Sequence, residues 1–585
     1  MNAELPADPE SGRRPPRAEG RSEGRARLQS RGAQALEQGR ARLIVTAAMF
    51  SLAFGAVGVR LVDATIFAHG PDGGPAQAVR VPEVPVPQTR ADITDRNGVL
   101  LATSLSTASL YADPKLVIDP AEAARRISEL LPDVHRERLL ADLKGDKRFV
   151  WIRRNLTPRQ EYEVNRLGLP GLFFQREERR VYPQGALMAH VVGFTSVDNS
   201  GLAGVEQSQD ERLSAGGEPL RLSIDVRLQH ILRREIQQQI TDFTAIGGAG
   251  MILDVHTGEL LAMVSLPDFD PQEPGEADAA NRFNRDTLGV YEIGSVFKIF
   301  NTAMALDHGA IRLTDSFDTR PVHIGRFTIT DYHPTNRPMS VPEIFKESSN
   351  IGSLHIAERV GIERQRAFLG KLGMLKAPQL ELPEVGRPLL PNPWTQVSLM
   401  TVAYGHGIAV TPMQAVTGVA AMVNGGILRP ATLLKQPEGE EIPGTRVIRQ
   451  DTSEVMRRLM RLVVTEGTAK QSEAPGYLLG GKTGTAEKVA AHGYAKKALL
   501  SSFYGAFPMN DPRYVVVVMV DEPKGNKKSY GFATAGWVAA PAVSRIVQQI
   551  GPLLGVRPVD GNSPEVQQAL SLDPAHLPRL LAAKQ

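Results

Sequence analysis

One stretch of the chain breaks from an otherwise mixed pattern of apolar and polar positions. Residues 43–59 run for 17 positions without a charge, and Leu61 and Val62 extend the run past Arg60. A helix needs about 20 apolar residues to cross a bilayer, and an arginine at its end can reach the headgroups. The pattern predicts a single transmembrane helix over residues 43–62. Arg31, Arg40 and Arg42 lie just before it, so the positive-inside rule puts residues 1–42 in the cytoplasm and the remainder on the far side. The run is long for a signal-peptide core, and no small-residue cleavage pattern follows it. Residues 1–42, rich in Arg, Gly, Pro and Glu, predict a basic, disordered tail.

Downstream the pattern is that of a folded chain. Residues 70–87 are rich in Gly and Pro and read as a partly extended linker. Asn97 and Gly98, set between short apolar strands, predict a two-residue hairpin turn with positive φ at both positions. Residues 120–145 and 156–166 read as helices, and strand-like pieces continue to about residue 224. Residues 249–265 predict two strands joined by a turn at His256, Thr257 and Gly258, while 502–507 and 514–520 supply further strands. Helical segments fill much of the interval. Strands at both ends with helices between them predict an α+β domain closing on its own sheet. The resulting division is a tail (1–42), a membrane helix (43–62), an α+β domain (63–235), a larger α+β domain (236–553) and a C-terminal tail (554–585). No internal repeat is visible.

Composition narrows the classes. A chain of 585 residues exceeds one compact core, and 42% hydrophobic with 22% charged residues is ordinary for folded protein. The net charge of +3 argues against a nucleic-acid surface. There is no cysteine, which excludes disulfides, thiolate metal sites and cysteine nucleophiles.

The candidate chemistry begins at Ser295 and Lys298. They open an apolar run, residues 299–306, that ends at His308 and Gly309, so a helix is expected to start at Gly294. Residues three apart on a helix are neighbours, which puts Lys298 under Ser295. A serine hydroxyl needs a base to take its proton, and a lysine can be that base only when neutral. Burial and a second cation both lower a lysine pKa. The helix N-terminus adds a backbone N–H that can face a developing oxyanion. Taken alone, the pair reads equally well as a capping serine and a solvated lysine. Two later motifs change the balance. Ser348, Ser349 and Asn350 follow a short helical segment, 342–346, and precede a helix ending near Gly361. Lys482, Thr483, Gly484 and Thr485 lie between glycines and a later strand pair. This order of motifs marks penicillin-binding proteins and class A β-lactamases, with Ser349 where those enzymes carry Asp.

On these residues the chain resembles the class B penicillin-binding proteins, and most of all the division-type peptidoglycan transpeptidase. The resemblance extends over most of residues 90–545. It includes Asn284 and Arg285, Asp331 to Pro334, and the stretch from Tyr404 to Gln414. In the smaller domain Asp92 to Gly98, Arg180 to Pro183 and Gly201 to Glu206 are similar to the family's elongated α+β pedestal, or dimerisation, domain. One departure is visible: the family has Pro-Gly-Ser-Thr around the nucleophile, and this chain has Ile293, Gly294, Ser295 and Val296. The lost hydroxyl leaves the mechanism intact and alters local helix packing.

The resemblance implies a penicillin-binding/β-lactamase-like fold, an antiparallel sheet flanked by helices with a helical subdomain. It implies that Ser295 attacks the penultimate D-Ala carbonyl of a stem peptide with Lys298 as its base. Ser348 and Asn350 would pass protons and hold the substrate amide. Lys482 would add positive potential, and Thr483, Gly484 and Thr485 would bind the terminal carboxylate. The N–H groups of Ser295 and Thr485 would form the oxyanion hole. An amine on a neighbouring stem then takes the acyl group, and β-lactams trap the same serine. No cofactor or metal is implied. The implied setting is the cytoplasmic (inner) membrane with the catalytic domain in the periplasm, beside a septal polymerase and other division proteins. Ser349 and Thr485 favour the division enzyme over the elongation type.

Other readings fit less well. Residues 476–483 match the P-loop pattern and 515–522 resemble a Walker B strand, but a P-loop needs a buried strand before it and a helix after it. Gln471 to Pro475 precede it and Gly484 follows. A Ser-His-Asp hydrolase lacks its Gly-x-Ser-x-Gly elbow, and none of the 12 histidines is tied by sequence to Ser295. A β-lactamase would need a deacylating glutamate, and no Glu-x-x-Leu-Asn lies between Asn350 and Lys482. Residues 63–235 are too short for a glycosyltransferase, and a β-lactam sensor would need a larger cytoplasmic part. The remaining non-enzyme reading is a vestigial division scaffold.

Overall fold

The computed structural model describes residues 23–63, 89–324, 327–440, 442–490 and 493–573. Residues 1–86 and 87–585 form two separate units.

Among the described residues of the first unit the chain forms one helix, Glu23–Val62. Its Arg40–Val62 part has a mean hydropathy of 1.8 and is long and apolar enough to cross a membrane. Leu43, Phe50 and Phe54 stand exposed along it. The helix starts 20 residues before the apolar run (23 against 43), so the expectation of disorder is corrected for residues 23–42. The reason is physical: that segment is dominated by Ala, Arg, Gln, Leu and Glu, and extending an existing helix through good formers is far easier than nucleating one. Residues 1–22 and the expected linker at 70–87 lie outside the described residues.

The second unit begins with a sheet whose strands run Val150–Leu156, Leu100–Ala112, Ile93–Thr94 and Leu220–Arg221, with Leu172–Val181 also paired to Leu100–Ala112. The turn at Asn97 and Gly98 exists, but only Gly98 has positive φ, at 87°. The two-residue geometry is replaced because Asp95 accepts from the N–H groups of both Asn97 and Val99, at 2.7 and 2.8 Å, which widens the turn. The helices expected over 120–145 form as Pro120–Leu130 and Arg136–Leu143, and Pro158–Arg166 is capped by Thr157 and Gln160. These helices and the far end of the sheet enclose a small core of their own around Leu110, Ile127 and Val164.

At its base the pedestal-like part shares one continuous core with the catalytic-type domain. Arg90 and Arg180 are buried there on either side of the Glu206 carboxylate, each donating through Nε at 2.7 Å. The expected domain boundary at residues 235 and 236 falls inside the helix Val226–Asp242. That helix packs on the second sheet, where Gln229 donates to the Met263 carbonyl at 2.6 Å.

The larger sheet is antiparallel, in the order Gly480–Ala490, Gly493–Phe507, Tyr514–Asp521, Gly247–Asp254, Leu260–Leu266. Its central strand, Tyr514–Asp521, is buried throughout. Helices cover both faces, which is why the sequence there shows a continuous apolar run with no alternation. Val226–Asp242 and Ala535–Leu553 pack on one face. Phe297–Asp307, Pro412–Val423 and Gln450–Thr465 form the other layer, and every residue from Phe297 to Leu306 is buried. The C-terminal segment is docked as far as residue 573: Val559 donates to the Gly476 carbonyl at 2.8 Å, and Arg458 holds the Ala569 carbonyl at 3.0 Å.

Candidate active site

Ser295 sits in a single 3-10 turn, Gly294–Val296, that leads directly into the helix Phe297–Asp307. The helix runs into the core, which drags Lys298 with it to 1% exposure. Its Nζ lies 3.0 Å from Ser295 Oγ, 2.5 Å from the Ser348 carbonyl, 3.0 Å from Ser348 Oγ and 2.8 Å from Asn350 Oδ1. Two of these partners, the Ser348 carbonyl and Asn350 Oδ1, can only accept. They match the two N–H bonds of a neutral amine and leave its lone pair toward a hydroxyl. Burial, and secondly the charge of Lys482, push the Lys298 pKa well below its ordinary value.

The second motif owes its geometry to two helix ends. Val341–Glu347 stops at Ser348, which adopts left-handed backbone angles (φ 61°, ψ 42°). A non-glycine residue there stores roughly 1–3 kcal/mol of strain. The conformation turns both the carbonyl and the hydroxyl of Ser348 onto Lys298. The next helix, Asn350–Val360, starts at once, with Ser349 capping the Gly352 N–H at 2.9 Å. Asp331 fixes the junction. Its carboxylate accepts from Ser349 Oγ and Asn350 N at 2.6 Å each and from Ile351 N at 3.1 Å. The capping role of Asp331 is not legible in the sequence, because it stands 19 residues before Asn350 and carries no local signal of it.

Lys482, fully buried, lies on the strand Gly480–Ala490 and points its Nζ at Ser348 Oγ, 2.9 Å away. Burial lowers its pKa to about 7. No carboxylate is paired with it among the described residues. The Ser348 hydroxyl therefore stands between the two amines. Gly484 is pressed on the nucleophile turn: a Cβ there would lie 2.5 Å from the Ile293 carbonyl and 2.8 Å from Val296. Val296, where the family has threonine, is fully buried in this contact. Thr483 and Thr485 turn to the other side of the strand. Their hydroxyls meet Thr468 Oγ1 at 2.9 Å and the Ala535 N–H at 3.0 Å, which leaves the Thr485 proton available to donate. The structure thus gathers Ser295, Lys298, Ser348, Asn350 and Lys482 into one hydrogen-bonded cluster, with the Gly484 backbone against its turn. Residues 476–483 run into a strand and not a helix, so the phosphate-loop geometry is absent.

Comparison with known proteins agrees with this geometry. Residues 248–547 match the penicillin binding protein transpeptidase domain and 85–219 the penicillin-binding protein dimerisation domain. The chain is 40% identical to the probable peptidoglycan D,D-transpeptidase FtsI of Caulobacter vibrioides, over 88% of this chain and 89% of that one. It is 29% identical to the peptidoglycan D,D-transpeptidase FtsI of Escherichia coli K12, over 83% and 87%. Among solved structures, a peptidoglycan synthetase from Bifidobacterium adolescentis superposes with a TM-score of 0.65 at 22% identity, covering 82% of this chain and 98% of the other. Penicillin binding protein 3 of Mycobacterium tuberculosis, complexed with aztreonam, gives 0.63 at 23%, covering 81% and 98%. With both domains matched in order, and with Ser295, Ser348 and Asn350 meeting the Lys298 amine while Lys482 meets Ser348 Oγ, the chain belongs to the class B penicillin-binding proteins of the division type.

Proposed function

We infer that this chain is a peptidoglycan D,D-transpeptidase that cross-links stem peptides through a Ser295 acyl-enzyme during cell division. The observation that carries the reading is the Lys298 amine, stripped of solvent, sitting 3.0 Å from Ser295 Oγ. In the first half-reaction Lys298 takes the Ser295 proton as Oγ attacks the penultimate D-Ala carbonyl. The Ser295 and Thr485 N–H groups receive the developing oxyanion. Ser348, bridging the two lysines, returns the proton to the departing D-Ala nitrogen. Lys482 adds positive potential, Thr483, Gly484 and Thr485 hold the terminal carboxylate, and Asn350 holds the substrate amide. An amine of a second stem then attacks the ester. A β-lactam follows the first half-reaction and stops there.

The same reading sets the protein in the cytoplasmic membrane through residues 40–62, with the N-terminus in the cytoplasm and the catalytic domain in the periplasm. It gives the protein a septal polymerase and other division proteins as partners. Fluorescent penicillin applied to the detergent-purified full chain should label the wild type covalently and leave Ser295→Ala unlabelled. A folded wild type that takes no label from any β-lactam would overturn the reading.

A further inference from the structure

The two half-reactions do not balance on Lys298 alone. In acylation one proton leaves Ser295 Oγ and one arrives on D-Ala nitrogen, so the amine of Lys298 ends as it began. An acceptor arriving as an ammonium must lose two protons to become an amide N–H. One restores the Ser295 hydroxyl by way of Lys298. The other needs a second base at the mouth of the cleft.

We propose that His406, oriented by Glu292, is that base. This rests on the transpeptidase reading above and adds a residue to its second step. Glu292 lies three positions before Ser295 and its side chain is only 10% exposed. One carboxylate oxygen accepts from the Gly407 N–H at 2.9 Å, and the other lies 3.5 Å from His406 Nδ1. A carboxylate at Nδ1 favours the proton there and leaves Nε2 as the basic nitrogen. The turn that carries His406 is fixed against the nucleophile. Gly405 has φ +81°, and a Cβ on it would fall 2.1 Å from the Gly294 carbonyl, so this close approach requires glycine. The Tyr404 ring flanks the imidazole with centroids 5.3 Å apart. Glu292 and Lys298 are among the ionisable groups that face His406. Burial holds His406 below its ordinary pKa, which favours the neutral, proton-accepting imidazole.

The step balances as follows. The acceptor ammonium gives one proton to His406 Nε2, and its freed nitrogen forms the C–N bond at the Ser295 ester carbonyl. The C–Oγ bond breaks, Lys298 passes the second amine proton to Oγ, and His406 releases its proton to water.

The test uses the full chain, a thioester donor ending in a D-Ala-like acyl group, and a D-amino acid as acceptor, with transfer and hydrolysis products both counted. In His406→Gln the ratio of transfer to hydrolysis should fall at least about 10-fold at pH 7, the range of a lost general base, while the penicillin label persists. The deficit should shrink as pH approaches the acceptor amine's own pKa, where free amine is supplied by the solvent. Glu292→Gln should give a smaller deficit with the same pH signature, and it carries the test if His406→Gln does not fold. An unchanged ratio, or a deficit independent of pH, overturns the proposal. Absence of label in the wild type would instead strike at the transpeptidase reading.

Discussion

At the scale of single residues, the site turns on two buried amines with opposite duties. Lys298 must be neutral to act, and Lys482 must be charged to attract a carboxylate. A group that binds its proton below its folded pKa switches off as a base when pH falls through that value, so Lys298 sets the acid limb of acylation. Lys482 loses its charge as pH rises through about 7, so it sets the alkaline limb. The pH profile of penicillin acylation should therefore be bell-shaped, with its alkaline limb near neutrality. Lys482→Arg, whose guanidinium stays protonated, should lose that limb in whatever activity remains. Lys482→Ala removes a cation that depresses the Lys298 pKa, so its acid limb should move to higher pH. Asp331 acts in the opposite direction, since its charge raises the Lys298 pKa. Asp331→Asn should shift the acid limb lower. It should also cost about 1–3 kcal/mol through lost charged hydrogen bonds to Ser349, Asn350 and Ile351, read as a lower melting temperature. Stopped-flow acylation against pH separates these three variants.

At the scale of elements, what the sequence made legible was whatever repeats locally. The Ser295–Lys298 pair, the helix that follows Ser349, the turn at Gly258 and the strand Tyr514–Asp521 all follow from spacing and side-chain type within a few residues. What it hid was set by partners far along the chain. Asp331 reached across 19 residues, and the helix 226–242 joined a sheet whose strands lie at 247–266 and 480–521, while the Gly98 turn, reshaped by Asp95 three positions away, is the local exception. The contact between Gly484 and the nucleophile turn is of this second kind. A Gly484→Ala side chain would press on Ile293 and Val296 and push the substrate strand from Ser295. Overpacking of this sort costs about 1–3 kcal/mol of stability, but misplacement by an ångström costs on the order of 10²-fold in rate. The acylation rate constant should fall far more than the melting temperature. Equal retention of both would show that the strand has room to move.

Across the whole molecule, the pedestal is joined to the catalytic domain by one core and by hydrogen bonds that span it. Gly204 donates to Glu384 at 3.1 Å, Ser208 to the Glu381 carbonyl at 2.7 Å, and Arg96 to the Ile224 carbonyl at 2.9 Å. Three family phrases that looked unrelated in the sequence meet at the root of this joint. Arg90 precedes the first phrase, Arg180 opens the second and Glu206 closes the third, and the one carboxylate neutralises both guanidiniums where water is excluded. Replacing the pair and its partner together by apolar groups could be tolerated, but removing only the carboxylate leaves two buried charges, and Asp210 can answer just one of them, Arg90. Glu206→Gln should therefore destabilise the chain by about 3–5 kcal/mol. The loss should begin in the pedestal, because Ser295, Lys298, Ser348 and Lys482 are held by elements on the far side of the joint. Limited proteolysis below the melting transition should cut the variant first within residues 89–219, while the undigested catalytic portion still takes a penicillin label at 25 °C. Simultaneous loss of both would mean that the Arg–Glu–Arg cluster holds the nucleophile as well as the pedestal.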